Sequence, residues 1–156
     1  MKAIHWIIAA AALAFVQPVH AAATDPEKII YRFTGVTDLG GPLFTGVATV
    51  FFCTSLSDTD ETVRFVTRNA DGTLMSNLAE PISHLQTITI GTHFPNVFNL
   101  TRVMLLTGPV NQGTTAIAAT SINIFCKAVI IDAAPQTPVG VTLPGLRFNP
   151  IGGSEE

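Results

Sequence analysis

The chain has 156 residues, with 8 Lys and Arg against 11 Asp and Glu, for a formal net charge of −3 at neutral pH. That balance supplies no basic stripe to neutralise phosphates and no basic amphipathic segment, so nucleic acid and an anionic membrane surface are excluded as expected partners. Hydrophobic residues make up 47% of the chain, enough for a buried core, and the length suits one domain better than two.

Residues 1–21 read as a secretory signal. Lys2 is basic, residues 6–16 are apolar, Pro18 breaks the run, and Val19-His20-Ala21 places small residues where a signal peptidase reads, so cleavage is expected after Ala21. The apolar run falls short of the roughly 18 residues that a membrane-spanning helix needs, and no other stretch reaches that length. No cysteine lies near the cleavage site to carry a lipid. The expected product is exported, secreted or periplasmic, with no membrane span after cleavage. Cleavage removes Trp6, the sole tryptophan, together with His5 and His20.

Residues 22–28 are polar and contain Pro26, a flexible lead-in, and residues 29–150 are expected to form the domain. Residues 29–34 read as a first strand, followed by the turn-rich stretch 35–42. Residues 46–54 (GVATVFFCT) form a second strand, apolar on both faces, with 55–61 as its polar exit. Residues 62–69 alternate, with Val63, Phe65 and Thr67 on one side and Arg64 and Arg68 on the other, and Asn69-Ala70-Asp71-Gly72 then signals a turn from which 73–78 returns as a hairpin arm. Glu80-Pro81 interrupts the pattern; residues 84–90 read as a further strand, 97–107 as another with a short helix as the alternative for its centre, and 108–113 as a turn cluster.

The longest strand-like run is 120–132, TSINIFCKAVIID, into which 114–119 leads. Its alternate positions Ile122, Ile124, Cys126, Ala128 and Ile130 are apolar, which turns Cys126 inward. Residues 132–145 are rich in Pro and Gly, an edge strand is expected at 146–149, and 151–156 is expected to be a disordered tail. No stretch keeps a helical period over three turns. About seven to nine short strands with regular turns point to an all-β, single-domain antiparallel β-sandwich.

Cys53 and Cys126 are the only cysteines, and both lie in core strands of a chain expected to reach an oxidising compartment, so they should pair, linking the two sheets of the sandwich. Their separation resembles that of the inter-sheet pair of immunoglobulin-like domains. The chain departs from that pattern at Ile124, where such domains carry a tyrosine, and in having no tryptophan after cleavage.

Candidate chemistry is thin. Asp58, Asp60 and Glu61 are spaced closely enough to offer oxygen ligands to calcium, but they cover only a fragment of an ion loop and a solvated polar loop is the favoured reading. His84 and His93, the two histidines of the processed chain, could join a carboxylate such as Asp71 or Glu80 around zinc, although their spacing fits no ligand motif. No nucleophile elbow, phosphate loop or dinucleotide fingerprint occurs. A sugar platform would have to use phenylalanine rings. The expectation is therefore a non-catalytic binding or structural module with no cofactor and an extracellular or envelope partner. Its rivals are a subunit that self-assembles by strand augmentation as a homo-oligomer, and a small hydrolase with an acidic or histidine-metal site.

Overall fold

The computed structural model describes residues 26–41, 43–98 and 103–148. The expected signal at 1–21 and tail at 151–156 lie outside them, as does most of the lead-in. The described chain is all β. It runs β1 (Lys28–Asp38), β2 (Val47–Ser55), β3 (Glu61–Arg68), β4 (Leu74–Ile82), β5 (Thr87–Gly91), β6 (Val103–Met104), β7 (Val110–Ala119), β8 (Ile124–Asp132), β9 (Gly140–Leu143) and β10 (Gly145–Arg147). Among the described residues no helix is long and apolar enough to cross a membrane.

Two five-stranded sheets result, one in the order β10-β1-β7-β3-β4 and the other β6-β5-β2-β8-β9. A period of two explains how they share a core. In β3, Glu61, Val63, Phe65 and Thr67 are buried while Thr62, Arg64 and Val66 are half-exposed, because successive side chains point to opposite faces. The inward rings form a continuous row: Phe33 of β1 meets Phe51 of β2 at 5.6 Å, and Phe51 meets Phe65 of β3 at 5.7 Å. Each such ring, fully removed from water, stabilises the fold by roughly 1.5–3 kcal/mol. The row passes from the first sheet to the second and back, so one core serves both.

β2 is buried on both faces for a second reason. On its outer side Ala48 and Val50 pack with Ile131 and Ala133 beneath Val97 and Phe98, and the Phe98 ring stands edge-on to Phe52 at 5.0 Å. The segment after β5 thus covers this face.

Three features differ from the sequence reading. The elements number ten because β6 and β10 are short pieces, and β6 pairs with β5 in parallel, so the second sheet is mixed. The cysteines are bonded, but within one sheet: Cys53 and Cys126 stand directly opposite on the adjacent antiparallel strands β2 and β8, with Cα atoms 4.2 Å apart. That separation matches the closely spaced, non-hydrogen-bonded pairs of an antiparallel ladder, about 4.5 Å, whereas facing sheets lie about 10 Å apart. Inward parity alone is common to both arrangements, which is why the expected inter-sheet link was the wrong one of the two.

The β3–β4 hairpin forms as expected. Gly72, at φ 85°, supplies the left-handed residue of its turn, and Asp71 Oδ1 accepts the Thr73 amide at 2.9 Å. That amide holds the Asp71 carboxyl below its ordinary range. A carboxyl whose pKa is depressed by folding stabilises the fold above its unfolded value, about 3.9, and loses that contribution as pH falls through the lower folded value. Acid titration below about pH 4 should therefore lower the protection factor of the Thr73 amide relative to its intrinsic exchange rate, and Asp71→Ala should remove this pH dependence of protection, as read by hydrogen exchange.

β1 begins where Glu27 forms a two-pronged ion pair with Arg64 of β3, at 2.6 Å and 3.0 Å. The Glu27 carboxylate raises the Arg64 pKa further above its ordinary value.

Candidate functional site

The strand directions collect the connections at two ends. At one end, the β2–β3, β4–β5 and β7–β8 connections cross between sheets and are tied together by polar groups. Glu61, fully buried, accepts hydrogen bonds from the hydroxyls of Ser57, Thr59 and Thr120. The Leu85 amide reaches the Ser55 carbonyl at 3.0 Å and the Leu56 amide reaches that of Asn123 at 2.8 Å. An ionised carboxylate is acceptor-only and a hydroxyl can donate, so this set satisfies itself without a cation.

The opposite end is built differently. Asp38 closes β1 and is buried, and its Oδ1 accepts the Gly40 amide at 2.6 Å. Its Oδ2 lies 2.8 Å from His93 Nδ1, and His93 Nε2 lies 2.9 Å from the Thr45 carbonyl. Both ring nitrogens thus have an oxygen within hydrogen-bond distance. With both nitrogens engaged, His93 pins the 39–46 connection to the segment after β5. The Phe44 amide donates to the Phe94 carbonyl at 3.1 Å and adds a second pin. Gly46, at φ 76°, lets the backbone pass the Gly40 carbonyl, which a Cβ would meet at 2.4 Å.

Above this pair opens a cavity of about 340 Å³, walled by Leu43, Met104, Leu106 and Pro109, with Asp38 and His93 at its polar side. Its size falls at the lower end of small-molecule sites, about 300–1,000 Å³, and its mostly apolar wall with a few polar groups is the usual composition of such sites. Leu43 is 56% exposed and Leu106 72%; Leu39 and Phe44 of the same loop are also exposed. Phe44 and Leu106 further adopt left-handed backbone, at φ 65° and 49°. Each such bulky residue costs of order 1–3 kcal/mol, a strain that concentrates at ligand-binding and switch regions.

No protein-family model, curated protein or solved structure matches the chain.

The structure does not gather the residues that the sequence suggested for metal. Asp58 and Asp60 are exposed while Glu61 turns into the core, because Glu61 opens β3 rather than ending a loop. His84 Nδ1 donates to the Ser57 carbonyl at 2.7 Å and lies 3.9 Å from Asp58 Oδ1. His84 precedes β5 and His93 follows it, so the strand, roughly 17 Å at about 3.3 Å per residue, keeps one ion from reaching both. Asp71 sits at the hairpin tip. Among the described residues no three His, Cys, Asp or Glu side chains converge.

The Asp38–His93 pair had no signal in the sequence, since its members are 55 residues apart. A second depression, about 490 Å³, lies beside the disulfide and is lined by Phe52, Phe125, Lys127 and Tyr31. The Lys127 ammonium stands 5.3 Å from the Phe52 ring centroid and the Arg147 guanidinium 4.2 Å from that of Phe125. These cations already occupy ring faces that a sugar platform would need.

Proposed function

We propose that the protein is an exported, non-catalytic binding module of immunoglobulin-like sandwich architecture, whose ligand enters the cavity at the Asp38–His93 end. One observation carries this reading: Leu106 is held exposed in left-handed backbone at the wall of a cavity whose polar side is formed by Asp38 and His93. Strain and exposed apolar surface both cost stability, and ligand contact is what offsets them. The cavity suits a small apolar body with one hydrogen-bonding group. The buried disulfide is compatible with an oxidising, exported location. A hydrolase would need the acidic cluster or the two histidines to converge, and their separation weighs toward binding.

The test uses 1-anilinonaphthalene-8-sulfonate as an apolar probe with an anionic head, titrated against labelled protein and followed by amide shifts. Shifts confined to Thr92, His93, Leu106 and Gly108 support the site, and shifts elsewhere or none overturn it. Leu106→Gly should lower probe affinity about 10-fold, the loss of one leucine contact. Removing the left-handed leucine should leave stability unchanged or raise it by up to about 1 kcal/mol. Lower stability with unchanged affinity would make Leu106 merely structural.

A further inference from the structure

The outer edge of β4 carries an inference independent of the cavity. The Thr120 amide bonds to the Thr62 carbonyl at 3.1 Å and the Thr62 amide to Thr120 Oγ1 at 3.0 Å, so the main-chain groups of Thr62 turn toward β7. Alternation then turns those of Val63, Phe65 and Thr67 toward β4, where they face Glu80, Leu78 and Ser76. Asn77, Ala79 and Pro81 therefore direct their main-chain groups away from β3, to an edge that no described strand covers. Natural edges are guarded by lysine, by proline or by bulges. β4 has no lysine, but it has Pro81, and a register shift leaves Met75 without a partner on β3.

We infer that β4 pairs antiparallel with β4 of a second copy of this chain, about a two-fold axis at Leu78. In that register Asn77 of each copy exchanges both main-chain hydrogen bonds with Ala79 of the other. Pro81, which lacks a donor, falls opposite the irregular Met75, so the two irregularities of the strand meet each other. Neighbouring registers set Pro81 against Asn77 or set Met75 against Ala79, and each spends a regular residue on an irregular one. The axis joins Leu78 to its counterpart, and Leu78 already packs on the core, so the shared core extends across the pair. Ser76 stands opposite Glu80, which keeps the two carboxylates apart and gives each a hydroxyl donor. The nearby Arg64 guanidinium is already paired with Glu27 and donates to Asn77 Oδ1 at 3.1 Å, so no unpaired cation opposes the approach. A two-fold contact uses the same patch on both copies and closes at a dimer.

Sedimentation velocity from low micromolar to near-millimolar protein, without signal segment, should show a monomer–dimer equilibrium and nothing larger. Ala79→Pro removes an outward N–H that β3 does not use, and should weaken the dimer at least 10-fold while leaving the monomer folded. Leu78→Cys should cross-link the dimer through an interchain disulfide, because opposed residues at such an axis have Cα atoms about 4.5 Å apart, within disulfide reach. Monomer throughout, a ladder of larger species, or a dimer that neither variant affects would each overturn the inference. If Ala79→Pro fails to fold, cross-linking at Leu78 decides, its absence in the dimer counting against this register.

Discussion

Replacing Cys53 and Cys126 together by alanine is expected to remove about 4 kcal/mol of stability. The bridge closes a separation of 73 residues, and in the chain-entropy account its effect acts on the unfolded chain, whose freedom it restricts. The native ladder should survive its loss, because β2 and β8 remain paired from Val47–Asp132 to Ser55–Ile124. Urea denaturation should thus show an earlier midpoint and a steeper slope, since an unbridged denatured state exposes more surface. Amide shifts far from the two positions should stay in place. A loss under about 1 kcal/mol would refute a structural role for the bridge, and loss of the native spectrum would show that it holds the strands themselves.

The second large effect is expected at Glu61. Its carboxylate accepts from Ser57 and Thr59 on one connection and from Thr120 on another, and Thr120 Oγ1 also accepts the Thr62 amide. Glu61→Ala leaves a void and deprives these hydroxyls of their acceptor; at about 1–3 kcal/mol for a buried unsatisfied group, with some hydroxyls turning elsewhere, the expected loss is about 3–5 kcal/mol. Glu61→Gln keeps the shape and one acceptor oxygen, while its amide can donate to a hydroxyl that reverses. It should cost about 1–2 kcal/mol. The alanine-to-glutamine contrast, measured by chemical denaturation, is the informative result. Equal losses would mean that charge rather than shape carries the site, and no loss for alanine would remove Glu61 from the account of stability.

Much of the sheet structure could be read from alternation, and the misses are of two kinds, local irregularities and the choice of distant neighbours. The hairpin at Asn69–Gly72 is local, so turn chemistry and period determined it. Beginning the alternating strand at Thr62 assigned Glu61 to a loop; one more step of the same period places it inward with Val63 and Phe65. Pro81 was read as a break, yet it sits inside β4 because its missing N–H falls on the outer edge. Val110–Gly113 was read as a turn cluster but opens β7, where the left-handed Gln112 and the register shifts against β1 absorb the irregularity. In the expected strand at 97–107 only Val103 and Met104 are strand, and 99–102 lie outside the described residues. Inside the Pro- and Gly-rich stretch at 132–145, β9 forms because β8 offers it an edge. The Asp38–His93 pair and the choice between facing and adjacent cysteine strands depend on which distant strands become neighbours, and period carries no information on that.

The order of strand pairing also sets a timetable for folding. β1 lies between β7 and β10, and β2 between β5 and β8, so β1 finds both its partners, and β2 one of its two, among the last strands. During synthesis, only the β3–β4 hairpin can close locally before most of the chain has emerged. Pairing across such sequence distances makes folding slow, since loop closure must precede the contacts that reward it. A chain with this wiring stays threadable until late and snaps shut only when its C-terminal third arrives, and for that interval its apolar strands depend on whatever holds unfolded polypeptide nearby.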